Sequence, residues 1–108
     1  MAFDFPKRLA AAALFDYAVG ILARRSLTTE ELRTRLKPQA AREADVPKVI
    51  NRLAEVGYLD DARLADTYSC FQRDYEGLGK RRVLRELANR GVKPAVAKNA
   101  VTDAYRDT

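Results

Sequence analysis

Apolar residues recur along this chain at spacings of three and four positions, which is the period of an α-helix. Regular alternation of apolar and polar residues, the signature of a half-buried strand, is nearly absent. Signals that begin and end helices divide the apolar pattern into segments. The pattern therefore predicts helices over about 7–25, 28–37, 45–56, 61–75, 80–90 and 94–105.

The start signals are specific residues. Thr28 and Glu31 have the spacing of a capping box, in which each side chain accepts a hydrogen bond from the other residue's backbone N–H. Asp60 is a good N-cap for the fourth helix, because its carboxylate can accept free N–H groups of the first turn. Asp45 is predicted to cap the third helix in the same way.

Two glycines mark helix ends. Gly57 and Gly91 each follow an apolar helical segment, and each is predicted to adopt the left-handed conformation just past a helix end. Tyr58 and Val92 come one residue later and can fold back on the helix that has just ended. Asp60 follows Gly57 by three residues, so a helix ends and the next begins at a tight corner.

The two halves of the chain share one arrangement, a long helix followed by two short ones. The fold class predicted is therefore all-α, with two tandem three-helix repeats and six helices. Repeat one would cover about 7–57 and repeat two about 60–106, within a single domain of residues 1–108. Because stacked arrays usually need ~3 repeats for stability, either the halves pack closely or a further repeat is missing.

Aromatic residues follow one side of the fourth helix. Leu64, Tyr68, Phe71 and Tyr75 occur at spacings of four, three and four. We predict that this stripe is core; stacking on nucleic-acid bases is the alternative.

Composition limits the partners and the location. The 108 residues are 32% charged and 47% apolar, as in an ordinary globular protein, and the net charge is +5 with a pI near 9.6. This charge permits an acidic partner such as nucleic acid without requiring one. The sequence has no apolar run near ~20 residues and no signal peptide, so no membrane association is expected. The lone Cys70 excludes an internal disulfide and fits a cytoplasmic location.

The sequence offers little for catalysis. It has no histidine, a single cysteine and no phosphate-binding or nucleophile motif. The adjacent carboxylates Asp60 and Asp61 are explained by a cap and by the positive start of a helix. We therefore predict no catalytic residue, no metal site, no cofactor and no enzyme activity.

One helix start opposes the helix dipole. With Gly79 as N-cap, Lys80, Arg81 and Arg82 fill the first turn of the fifth helix, where cations cost roughly 0.3–1 kcal/mol each. Free N–H groups and cations together make an anion site; the alternative is a solvated basic face, partly neutralised by Glu76 and Glu86. The residues predicted to bind an anionic partner such as DNA are Arg73, Lys80, Arg81, Arg82 and Arg85, with Arg33, Arg35 and Lys37 as a weaker counterpart on the second helix.

The chain resembles the RecX family, whose members regulate the RecA recombinase. The resemblance rests on YAVGILARR (17–25), ELRTRL (31–36), GYLDDARLA (57–65) and RELANRGV (85–92), with Tyr68, Arg73, Gly77 and Gly79 between them. It covers about residues 14–101 and is carried by the order and spacing of motifs that are individually weak. Family members usually carry a third repeat, and this chain stops where that repeat would begin.

The resemblance implies tandem helical repeats that bind in the groove of the RecA–DNA filament. It also implies that the protein inhibits strand exchange and ATP hydrolysis by RecA. Through this inhibition it would modulate recombination, DNA repair and the SOS response. Direct contact with single- or double-stranded DNA is compatible with the basic residues. Two other classes of function stay open, a helical nucleic-acid-binding module that acts without RecA and an adaptor that docks on an acidic protein.

Overall fold

The computed structural model describes residues 8–106, and helices account for most of them. The six α-helices in this range are α1 (Ala11–Arg24), α2 (Thr29–Leu36), α3 (Asp45–Glu55), α4 (Asp61–Phe71), α5 (Lys80–Asn89) and α6 (Pro94–Ala104). A 3-10 turn at Lys37–Gln39 follows α2, and a π-helical turn at Gln72–Glu76 continues α4. Residues 8–106 contain no β-strand, so the predicted all-α class is confirmed.

The chain divides into two compact units. The first unit contains the described residues up to Ser26 together with Leu32–Leu59, so it holds α1, α3 and most of α2. The second unit contains Leu27–Glu31 and the described residues from Asp60 onwards, so it holds α4, α5 and α6. The first turn of α2 therefore belongs to a different unit from the rest of that helix.

The core of the first unit consists mainly of large aliphatic side chains, and α1 packs against α3. Its buried apolar residues are Leu14, Ala18, Leu32, Leu36, Ala40, Val46, Val49, Ile50, Leu53 and Leu59. The Tyr58 ring is half-exposed and meets Phe15 edge to face, with ring centroids 6.4 Å apart.

The core of the second unit contains many small side chains, and α4 packs mainly against α6. Its cluster comprises Ala65, Val83, Leu87, Val92, Ala97, Ala100, Val101, Ala104 and Tyr105. Ser69 is also fully buried, and its hydroxyl has no hydrogen-bond partner among the described residues.

Most predicted helix ends are confirmed. The capping box of α2 is complete: Thr28 N donates to Glu31 Oε1 at 2.9 Å, and Glu31 N donates to Thr28 Oγ1 at 3.1 Å. Asp60 caps α4, since its Oδ1 accepts from Arg63 N at 3.0 Å.

Both glycine endings adopt the expected geometry. Gly57 and Gly91 have φ angles of +87° and +89°. Beyond Gly57, Tyr58 N donates to Leu53 O at 2.8 Å, and beyond Gly91, Val92 N donates to Leu87 O at 3.0 Å. These bonds satisfy carbonyls that a helix end would otherwise leave free.

The predicted start of the first helix near residue 7 is wrong among the residues the structure describes. Lys7 lies outside them, and α1 begins at Ala11. Leu9 pairs with Ala40 in an isolated parallel bridge, in which Leu9 N donates to Gln39 O at 2.7 Å and Ala41 N donates to Leu9 O at 2.8 Å. These bonds keep Leu9 out of the helix.

The predicted cap of the third helix is also wrong. Asp45 is the first residue of α3, and the N-cap position is held by Ala44, which makes no side-chain cap. Asp45 N instead donates to Arg42 O at 3.0 Å, so a preceding turn leads directly into the helix. The Asp45 carboxylate still lies in the first turn, where a negative charge favours the dipole.

The prediction of an aromatic core on α4 is wrong for its last two members. Phe71 and Tyr75 are 50% and 76% exposed, whereas Leu64 and Tyr68 are half-buried against the core of the second unit. The buried face of α4 runs through Ala65 and Ser69, one position further along the helix than Leu64 and Tyr68. One position turns a helix by about 100°, so the aromatic stripe lies beside the buried face.

Candidate functional site

The start of α5 carries the predicted cluster of cations. Gly79 is the N-cap in extended conformation and supplies no side-chain cap, and Val83 N donates to its carbonyl at 3.2 Å. The first turn contains Lys80, Arg81 and Arg82 and no acidic residue. All three side chains are exposed. Their backbone N–H groups have no partner within the helix, so donors and positive charges share one end of α5.

The three cations differ in their partners. Lys80 and Arg81 form no ion pair with any residue in the range 8–106. Arg82 pairs with Glu86 one turn later, with Nε 3.2 Å from Oε2. Because this pair is largely exposed, it contributes little to stability. It does direct the Arg82 guanidinium along the helix, so Lys80 and Arg81 are the cations available to an external anion.

Glu86 also accepts a hydrogen bond from the hydroxyl of Tyr68 on α4. This bond, with a smaller contribution from Arg82, holds the pKa of the Glu86 carboxyl below its usual range. Burial, followed by the bond to Glu86, raises the pKa of Tyr68 to about 12. Both shifts keep the proton on the phenol and the negative charge on Glu86.

The first turn of α2 and the last turn of α5 cap each other within the second unit. Thr28 is fully buried, and its Oγ1 donates to Arg90 O at 2.6 Å. In return, the Arg90 guanidinium binds Glu31 through both arms, with Nε to Oε2 at 3.0 Å and Nη2 to Oε1 at 2.9 Å. Glu31 thus accepts from a backbone amide and from an arginine, and its hydrogen bonds raise the pKa of Arg90.

Two further contacts fix this arrangement. Arg90 lies over the Tyr68 ring, 5.6 Å from its centroid, which connects Glu31 to Glu86 through a cation–π contact. A Cβ atom added to Gly91 would lie 2.5 Å from Glu30 Cβ, so the close approach of α2 requires glycine there in addition to the left-handed φ. The sequence indicated Gly91 as a helix end but gave no sign that it lies against Glu30 of α2.

Asp61 has a partner that the sequence did not suggest. Its Oδ1 accepts from both Thr29 N at 2.9 Å and Thr29 Oγ1 at 3.2 Å. It is the first residue of α4, yet it caps the first turn of α2. The adjacent Asp60 caps α4 itself. Each carboxylate of this pair therefore satisfies backbone donors.

Arg73 lies on the π-helical turn and is held by structural partners. Its Nη1 donates to the carbonyl of Ala104 at the end of α6, and its Nε and Nη2 bond the two carboxylate oxygens of Asp74 at 2.6 and 3.0 Å. A cation near a helix C-terminus favours the dipole. The predicted role of Arg73 in binding an anion stays a prediction, alongside this structural role.

The other predicted site residues lie on two different elements. Arg85 is exposed on α5, one turn after Arg81 and Arg82. Arg33 is half-buried on α2, Arg35 is exposed in its last turn, and Lys37 is exposed at the start of the 3-10 turn. These three belong to the first unit, whereas the start of α5 belongs to the second. A binding role for Arg33 and Lys37 stays a prediction.

Within residues 8–106, no group of three or more His, Cys, Asp or Glu side chains is placed to hold a metal ion. None of the helices in this range is both long enough and apolar enough to cross a bilayer. Cys70 is half-buried with a free thiol.

Six helices in two successive sets of three define an all-α tandem-repeat protein, and a solved structure shares this fold. The crystal structure of RecX from Lactobacillus salivarius matches with a TM-score of 0.82, covering 88% of this chain and 61% of that one. Its sequence identity is 18%, so this match shows the fold alone.

Curated relatives show the family. The regulatory protein RecX of Cronobacter sakazakii is 35% identical over 112 aligned positions, and the alignment covers 94% of this chain and 65% of that protein. The regulatory protein RecX of Halorhodospira halophila is 36% identical over 98 residues, covering 91% of this chain and 60% of that protein. No protein-family model matches the chain.

The chain belongs to the RecX family. It spans between 48% and 65% of the length of the curated relatives it matches.

Proposed function

We propose that this protein regulates the RecA recombinase by binding the RecA–DNA filament and inhibiting strand exchange and ATP hydrolysis. In this proposal it acts in the cytoplasm by binding, without catalysis, metal or cofactor, and thereby modulates recombination, DNA repair and the SOS response. Support comes from its relatives, which are named regulatory protein RecX, and from the family resemblance in its motifs.

The observation that carries the proposal is the start of α5. Lys80 and Arg81 are exposed, without ion-pair partners in the described range, at a helix end that already favours anions. A sequence selected for stability alone would place Asp or Glu in that turn. Filament DNA phosphates and acidic groups on RecA are both anions of the kind that such a turn attracts.

The geometry suggests how binding would inhibit. The cations lie at the first turn of a helix whose remainder packs into a core through Val83 and Leu87. The backbone that carries the charges is therefore already ordered, so binding need not order this segment of the chain. A protein held in this way on a filament would obstruct the second DNA strand and the movements that accompany ATP hydrolysis.

The test is RecA ATPase activity and strand exchange on single-stranded DNA, with the wild type and with Lys80→Glu/Arg81→Glu. Arg82 is left unchanged because it pairs with Glu86. The double variant should keep its fold, or gain slightly in stability, because acidic residues suit a first turn. Its filament affinity should fall by about tenfold or more, and inhibition should weaken accordingly.

A matched control is Lys93→Glu/Lys98→Glu, which makes the same change in charge at two exposed lysines of the α6 region. It should inhibit as the wild type does. Equal inhibition by the α5 variant and the wild type would contradict the role of this turn. Absence of any wild-type effect on RecA would contradict the proposal as a whole and would favour the alternatives that act without RecA.

A further inference from the structure

Phe71 and Tyr75 form an exposed aromatic pair on the outer flank of α4. Their ring centroids are 5.0 Å apart with an interplanar angle of 34°, so the rings support each other at a fixed tilt. Tyr75 is 76% exposed, and its hydroxyl has no hydrogen-bond partner among the described residues. Two large rings held together in solvent are unusual, because such surface is normally buried or kept for a partner.

The backbone at this pair is also unusual. Phe71 is the last residue of α4, and Tyr75 lies in the π-helical turn at Gln72–Glu76. Single π-helical turns inside helices are rare and occur frequently at functional sites. The turn ends at Gly77, which has a φ of +65°. Core packing does not account for the rings, because the buried face of α4 runs through Ala65 and Ser69.

Positive charge follows the rings within a few residues along the chain. Lys80 follows Tyr75 by five residues, so their Cα atoms can be about 18 Å apart at most, the reach of a few nucleotides. Lys80 and Arg81 are exposed. Two carboxylates lie nearby, Asp74, which is paired with Arg73 at 2.6 Å, and Glu76, which is exposed. The excess of positive charge favours an anionic partner.

We propose that Phe71 and Tyr75 are a stacking platform for unpaired bases of a single-stranded nucleic acid, while Lys80 and Arg81 contact its phosphates. Every base has a π-face, so aromatic stacking beside cations binds single strands with little sequence preference. The bases of a duplex stack on one another and leave no face free for these rings. A protein partner with an apolar surface would bury the area of the rings but would not need to stack on their faces. The platform would act with or without RecA, so this inference does not rest on the proposed function.

The chain contains no tryptophan, which allows a direct optical test. Tyr75→Trp places one indole in the platform, and Tyr17→Trp places one at a tyrosine that is 36% exposed on α1. With oligodeoxythymidylate as the probe, the fluorescence of the Tyr75→Trp protein should be quenched as the DNA binds, because a base stacks on the indole. The Tyr17→Trp protein should bind equally and show no quenching. Binding that leaves the Tyr75→Trp fluorescence unchanged would overturn the proposal.

A second set of variants separates ring faces from apolar area. Phe71→Leu/Tyr75→Leu keeps apolar side chains but removes both π-faces, and circular dichroism checks that the helices remain. Its affinity for oligodeoxythymidylate, measured by fluorescence anisotropy, should fall by about tenfold or more. Its affinity for a duplex of matched length should not change.

Three results would overturn the proposal: equal loss on both DNAs, no loss on the single strand, or no binding of single strands by the wild type. If the leucine variant bound single strands normally but failed to inhibit RecA, the rings would contact protein instead. Because DNA is measured without RecA, failure here leaves the proposed regulation of RecA standing.

Discussion

The two units of this protein bury different kinds of side chain. In the first unit most of the fully buried positions are occupied by large aliphatic residues such as Leu14, Leu36 and Leu53. In the second unit α4 packs mainly against α6, and the buried residues of these two helices include Ala65, Ala97 and Ala100. Small side chains let two helices approach closely, so larger residues are displaced to the flanks. The comparison teaches that a repeated helical pattern does not imply repeated packing.

The two cores should respond oppositely to changes in volume. Leu53 is 0% exposed in the first unit, so Leu53→Ala removes buried methyl groups and leaves a cavity. The free energy of unfolding should fall by about 2–5 kcal/mol, whereas the volume-conserving Leu53→Met should cost less than about 1.5 kcal/mol. Urea denaturation measures both. A loss below about 1 kcal/mol for the alanine variant would show that this core collapses around the gap.

In the second unit, enlargement should be the damaging change. Ala65 is 0% exposed where α4 meets α6, so Ala65→Leu forces the two helices apart. The expected cost is about 1–3 kcal/mol in urea denaturation. Ala62→Leu, at an exposed position on the same helix, should change stability by no more than about 0.5 kcal/mol. Equal stability of the two variants would mean that small residues are not needed at this contact.

The units should also differ in alkali, since the Tyr68–Glu86 pair belongs to the second unit. The pKa of Tyr68 is raised to about 12 in the folded protein, from about 10 in an unfolded chain. A raised pKa stabilises the fold fully below pH about 10, and this contribution is lost as the pH rises towards about 12. Tyr68→Phe should lower the free energy of unfolding by about 1 kcal/mol at neutral pH. Between pH about 10 and about 12, the free energy of unfolding of this variant should fall less than that of the wild type.

Absorbance titration of the phenols provides a direct check, because the sequence contains five tyrosines. The wild type should show a phenol that ionises late, and Tyr68→Phe should lack it. Tyr58→Phe serves as the control, since its ring is half-exposed in the first unit. A late-ionising phenol that persists in Tyr68→Phe would assign the shift to another tyrosine, and Tyr105, whose pKa burial also raises, is the candidate.

Local chemistry was predictable at most helix ends, with the Asp45 cap as an exception, because the turn at Arg42 leads directly into α3. The capping box of Thr28 and Glu31, the Asp60 cap and the left-handed Gly57 and Gly91 all follow from short-range hydrogen bonding and steric exclusion. The start of α1 was mispredicted because Leu9 bonds to residues about thirty positions away, beyond the reach of any local pattern.

The aromatic stripe was mispredicted for a different reason. The spacing of apolar residues identifies an apolar face of a helix. It cannot tell whether that face, or an adjacent face of small residues, packs against the neighbouring helix. The four-residue spacing of Ala65 and Ser69 was the sequence signal for the buried face. It is a weaker signal than the stripe of four large apolar residues. The basic start of α5 was visible in the sequence because it breaks a local rule, and such conflicts tend to coincide with functional positions.

The division of α2 between the units also matters for how the chain is made. The bond from Thr28 to Arg90 spans 62 positions in the sequence, so the second unit is not contiguous in the chain. On a ribosome adding about 5–20 residues per second, Thr28 would emerge roughly 3–12 s before its acceptor. Until Asp61 emerges, the first turn of α2 can be held only by its own capping box, and from then until Arg90 emerges the Asp61 carboxylate can hold it as well. A fragment beginning at Asp60 would lack Thr28, Thr29 and Glu31, so cutting the gene between the repeats would not release an intact second unit.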